Sequence, residues 1–134
     1  MTQNSEHTPA SADLDPTVAA IAEDIVTEDA VPVAPEQTFA DFGVHPAIVE
    51  ALEAKGIVHP FPIQAMTLPV ALGGHDIIGQ AKTGTGKTLG FGVPMLNRID
   101  LESDDPRPQA LAVAPTRELA SQVAADLERA GKRL

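Results

Sequence analysis

The residues best suited to chemistry in this chain are the eight of Ala81-Lys82-Thr83-Gly84-Thr85-Gly86-Lys87-Thr88. Glycine at 84 and 86 permits backbone angles that other residues resist, so successive N–H groups can turn toward a single anion. Lys87 would reach the outer phosphates of a nucleotide, and the Thr88 hydroxyl would ligate Mg²⁺. The pattern G-x-x-x-x-G-K-[ST] is met except at its first position, where Ala81 stands. A second candidate is Gln64, whose side-chain amide carries a donor beside an acceptor. That pair matches adenine, which presents N7 as acceptor and its N6 amino group as donor; guanine presents two acceptors there. A third is Arg117, a cation in what reads as the first turn of a helix. The helix dipole disfavours it there by roughly 0.3–1 kcal/mol, a conflict that a phosphate shared with the free N–H groups of the helix start would remove.

These residues need elements to hold them. His75 to Ala81 reads as a short buried strand leading into the glycine-threonine loop, and a helix is expected from about Gly86 to Arg98, bent at Pro94. Upstream, Pro46 opens a short helix through Ala54, with Ile48, Val49 and Leu52 inward and Gly56 to end it. A second helix starts near Pro62 and should kink or end at Pro69. Pro60 and Pro62 stiffen the segment that aims Gln64. Downstream of a charged loop, residues 110–116 (ALAVAPT) read as a second buried strand. Thr116 then caps a final helix with Leu119, Val123 and Leu127 on one stripe and Glu118 favourably placed in its first turn. Strand, loop, helix, strand, helix is a βαβα order and implies an α/β fold with a parallel sheet and flanking helices. A parallel sheet is buried on both faces, which two strands cannot achieve, so the fold is expected to be a truncated part of a larger domain.

The formal charge of −10 is unevenly distributed. Residues 1–36 hold eight acids and no Lys or Arg, while residues 37–134 hold eleven acids and nine bases. The tail lacks aromatic residues and is expected to be disordered, with Val18, Ile21, Ala22, Ile25 and Val26 spaced as for a helix capped by Asp15. The absence of cysteine excludes disulfide and thiol chemistry and suits a cytoplasmic protein. No apolar run approaches the ~18 residues of a membrane span, and the N-terminus lacks the pattern of a secretory signal. The four histidines, His7, His45, His59 and His75, show no metal spacing and read as surface or loop residues.

Taken together, three stretches resemble the DEAD-box RNA helicases. FADFGVHPAIVEALEAKGIVHPFPIQ, residues 39–64, is similar to their Q motif, with Phe39 seventeen residues before Gly56. AKTGTGKT, residues 81–88, is similar to their motif I, in which Ala regularly takes the first position. PTRELA, residues 115–120, is similar to their motif Ia. The resemblance implies that residues 37–134 are the N-terminal portion of a RecA-like P-loop domain, in a full-length protein that remodels RNA with ATP and Mg²⁺. It implies an ATP site of Phe39, Ile57, Pro62, Gln64 and the loop from Ala81 to Thr88, with Mg²⁺ reached by Thr88. It further implies that Pro115, Thr116, Arg117 and Glu118 touch RNA through its backbone. Ile57 departs from the family, which often has an aromatic residue there to pack on the base.

The family's Asp-Glu-Ala-Asp motif and its second RecA-like domain have no counterpart in residues 1–134, so the chain contains no catalytic residue of the ATPase reaction. ATP hydrolysis and unwinding are expected of a full-length protein, of which this chain is an N-terminal fragment, inactive alone and partly unfolded or aggregating. Two other readings compete: a small P-loop kinase or other NTPase, and a non-enzymatic module whose acidic tail recruits a protein partner.

Overall fold

The computed structural model describes residues 36–82 and 84–134 and, of the remainder, the strand Ile25–Thr27. Each helix begins where the sequence offers a reason. Helix α1 (Pro46–Glu53) has Pro at its first position, and the Nδ1 of His45 accepts a hydrogen bond from the Ala47 N–H at 3.2 Å. The His45 N–H itself donates to Asn97 Oδ1 at 2.6 Å, fastening this helix start to a distant part of the chain. Ahead of it lies one 3-10 turn, Ala40–Phe42, closed by Gly43 at φ 77°. Asp41 accepts from both the N–H and the hydroxyl of Thr38, which holds its carboxyl below the usual carboxylate range.

Helix α2 (Pro62–Leu72) is buried along most of its length and continues through Pro69. Of the kink or end expected at Pro69, the end does not occur there. The lost N–H removes one hydrogen bond, but burial of Leu68 and Ala71 against the core carries the helix on to Leu72. Helix α3 (Lys87–Asn97) likewise runs past Pro94. Helix α4 (Arg117–Ala130) starts from Thr116, whose hydroxyl accepts from the Leu119 N–H at 3.2 Å, as expected of a cap.

The sheet differs from the expected one. Strand β1 (Ile25–Thr27) pairs in parallel with β2 (Ile78–Gln80), in the register Ile25–Ile78, Val26–Gly79 and Thr27–Gln80. Ile25 and Val26, in a tail expected to be disordered although spaced there as for a helix, are thus extended; the rest of that segment lies outside the described residues. Residues 110–116 form no strand, although their composition favours one. Leu111 and Val113 are 83% and 86% exposed. They pair with neither strand of the described sheet, and without a ladder a single extended segment neither satisfies nor buries itself.

The core is helical. Phe39, Val44, Ile48, Leu52, Leu68, Val93 and Ala130 form one buried cluster, with Ile57, Leu89 and Leu96 packed against it. Helix α3 lies between α2 and α4, and α1 packs on α4. Of the stripe expected on α4, Val123 is buried and Leu127 half-buried, while Leu119 remains 40% exposed. Two close approaches set the spacing. The buried Thr67 hydroxyl lies 2.9 Å from the Ile63 carbonyl and 3.2 Å from that of Gly90, joining α2 to α3. A Cβ at Gly92 would come within 2.6 Å of Leu127 Cδ2, so the bare backbone there admits α4.

Candidate nucleotide site

The loop from Ala81 to Gly86 joins the end of β2 to the start of α3. Gly84 and Gly86 both sit at positive φ, 85° and 75°, a region that side-chain-bearing residues enter at a cost of roughly 1–2 kcal/mol. Gly86 also serves as the N-cap of α3, so the first turn begins immediately with Lys87 and Thr88. The free N–H groups of that turn and the positive end of the helix face the loop, which is the arrangement an anion requires. The loop is braced from within. The Thr85 hydroxyl donates to the Lys82 carbonyl at 2.7 Å, and Lys87 Nζ donates to the Ala81 carbonyl at 2.6 Å. The ammonium group thus spans the loop from end to end, and a phosphate would offer it a stronger, charged partner than the carbonyl it holds. Thr83 lies outside the described residues.

Gln64 connects this loop to α2. Its Oε1 accepts from the Phe61 N–H at 2.9 Å and its Nε2 donates to the Gly86 carbonyl at 2.8 Å. These two partners leave no choice over which end of the amide is oxygen. One N–H and one lone pair of the amide remain beyond those bonds, the complement that adenine needs. The side chain is only 1% exposed, so a base reaches it only where a neighbour gives way. A Cβ at Gly86 would lie 2.3 Å from Gln64 Nε2 and 2.9 Å from Phe61 Cδ2. Gly86 is therefore required for space as well as for backbone angle.

The remaining sequence-derived residues fall into two groups. Pro62 opens α2 and orients Gln64, and Ile57 lies half-buried over a depression of about 110 Å³. That depression is floored by Leu52 and Leu89 and rimmed by Lys55, Gly86, Thr88, Asp126 and Arg129, the last two paired at 2.6 Å. Phe39 is different: it is 1% exposed and embedded in the core, so it acts on the site as scaffold. Pro115, Thr116, Arg117 and Glu118 gather at the start of α4, all exposed. Composition gave no hint of Asp126 and Arg129, which stand some forty residues beyond the loop. Phe61, also missed, had a signal in the sequence, an aromatic residue set between two prolines. A second, mostly apolar cleft of about 190 Å³ between α2, β2 and α3 reaches Lys87 but is lined chiefly by Ile63, Ile77, Gly79 and Phe91. It is a gap in packing and not a seat for phosphate. Of the three histidines among the described residues, His45, His59 and His75, all are exposed, and no group of three or more His, Cys, Asp or Glu among those residues could hold a metal ion. No helix of those residues is long and apolar enough to cross a membrane.

Comparison with known proteins agrees with this geometry. Residues 61–134 match the DEAD/DEAH box helicase family. The chain is 49% identical over 98 residues to the ATP-dependent RNA helicase RhlB of Pectobacterium carotovorum, and 48% identical over 100 residues to the ATP-dependent RNA helicase DeaD of Mycobacterium tuberculosis. These alignments cover 69% and 75% of the chain but only 23% and 17% of the relatives, so it spans about a fifth of their length. Among solved structures, S. cerevisiae Dbp5 bound to RNA and ADP BeF3 superposes with a TM-score of 0.66 at 36% identity, over 72% of this chain and 25% of that one. Prp28 from Chaetomium thermophilum bound to ADP gives a TM-score of 0.67 at 34% identity, over 77% and 26%.

Proposed function

The chain belongs to the DEAD/DEAH box helicase family, and from that premise we propose that it is the nucleotide-binding, RNA-contacting N-terminal portion of an ATP-dependent RNA helicase that remodels RNA duplexes or RNA–protein complexes. The observation that carries this reading is the joint at Gly86, where the phosphate loop, the cap of α3 and the Gln64 amide meet. In this reading Gln64 selects adenine with the donor and acceptor it has left. The backbone of residues 81–86 and the start of α3 cradle the phosphates. Lys87 leaves the Ala81 carbonyl for the outer phosphates.

Among the described residues Mg²⁺ would be held by the Thr88 hydroxyl, its other ligands being phosphate oxygens and water. The donor set fits a magnesium ion delivered by the nucleotide, since the described residues assemble no carboxylate site of their own. When bound it would neutralise phosphate charge. The groups that orient water and stabilise the transferred phosphoryl are assigned to the rest of the full-length protein.

RNA is assigned to the start of α4. Arg117 stands exposed in the first turn, where the helix dipole and free N–H groups favour an anion and disfavour the arginine by itself. Contacts of that kind hold the backbone of a strand and do not read its bases. The eight acids of residues 1–36 are assigned to a basic protein partner, and the cytoplasm is the compartment that suits the chain. RNA-stimulated ATP hydrolysis by the full-length protein tests the whole reading. Lys87→Ala should abolish it, and Arg117→Ala should weaken RNA binding while lowering the salt slope by about one. Hydrolysis that persists in Lys87→Ala would remove the loop from the mechanism.

A further inference from the structure

Phe61 is a large apolar side chain left 54% exposed at the edge of the phosphate loop. It holds the N-cap position of α2. Ser, Thr, Asp or Asn there would satisfy a free N–H with a side-chain oxygen, and Phe has none to give. Its backbone is nevertheless tightly held. Pro60 and Pro62 flank it, φ and ψ are −66° and 159°, and its N–H is fixed to Gln64 Oε1. The ring borders Gly86, within 2.9 Å of where a Cβ would stand, and the Gln64 amide borders the same point. An exposed aromatic ring, the amide complementary to adenine and the phosphate loop therefore converge on one glycine. Ile57 also borders the loop, through the depression that Gly86 and Thr88 rim, but it is half-buried against the core and aliphatic, so it offers no aromatic ring.

We infer that Phe61 is the stacking platform for the nucleotide base, supplying the aromatic contact that Ile57 does not. The inference rests on the nucleotide-binding reading above. A purine has a π-face whatever its edge groups, so the platform adds affinity while Gln64 adds selectivity. The residue at this position gives up a helix cap, which a binding role explains and a purely structural role does not.

The test compares ADP and inorganic pyrophosphate by isothermal titration against the full-length protein and its Phe61→Thr variant. Threonine restores a capping oxygen, so the variant should unfold at a higher denaturant concentration. Its affinity for ADP should nonetheless fall between about fivefold and a hundredfold, the range for losing one base–aromatic stack. Pyrophosphate binding should stay within about twofold of wild type, and Phe61→Tyr should bind ADP as wild type does. Unchanged ADP affinity in Phe61→Thr would overturn the platform. Equal losses for ADP and pyrophosphate would overturn it too, by making Phe61 a support of the loop. If the unaltered protein binds neither ligand, the nucleotide reading fails first and the platform falls with it.

Discussion

At the scale of single residues, Gly86 carries the most constraint per atom. It holds a positive φ, caps α3, and offers its carbonyl to Gln64 in a space that excludes a methyl group. The neighbour a Cβ would strike is not a free side-chain end but an amide pinned at both sides and 1% exposed. Gly86→Ala should therefore combine backbone strain with a broken buried hydrogen bond, lowering stability by about 2–4 kcal/mol. Urea unfolding of the purified protein reads this directly; a loss under about 0.5 kcal/mol would mean that Gln64 is not held as described. Gly92 is the contrasting case. The atom nearest its missing Cβ is the end of the Leu127 side chain, which can rotate, so Gly92→Ala should be far milder.

At the scale of elements, the helices were legible in the sequence because their signals are local. Pro46 and Pro62 at first positions, Gly56 past an end and Thr116 as a cap each act within one turn. Replacing the Thr116 hydroxyl in Thr116→Ala should cost about 0.5–2 kcal/mol, measurable by thermal or chemical denaturation. The phosphate loop was legible for the same reason: its glycines and lysine lie within a few residues of one another. Strands were not, because a strand exists only with a partner. Residues 110–116 have the composition of a buried strand yet stay irregular, whereas Ile25–Thr27, set among acids, is paired with β2. Pro69 does not end its helix, since the burial of that helix outweighs one missing hydrogen bond. The bond from Gln64 to Gly86 spans twenty-two residues and the Asp126–Arg129 pair lines a depression beside Ile57, and no local pattern encodes either.

At the scale of the whole molecule, charge and apolar surface are both unevenly placed. Most of the net negative charge belongs to residues 1–36, which leaves the nearly balanced remainder free to meet phosphates. Leu111 and Val113 meanwhile face solvent with Leu101, the apolar surface a sheet would normally bury. Residues 1–134 expressed alone should accordingly unfold over a broad range, with a calorimetric enthalpy well below the roughly 0.7 kcal/mol per residue of compact domains, or should aggregate. A sharp transition of normal enthalpy would show that the helical core suffices. The site at Gly86 is proposed to select adenine through Gln64. Titration of the full-length protein with ADP and GDP, with and without Gln64→Glu, tests it most directly. ADP should bind at least about tenfold more tightly than GDP, and the variant, which lacks an amide donor, should lose that preference. Equal affinity for the two nucleotides in the unaltered protein would contradict the account.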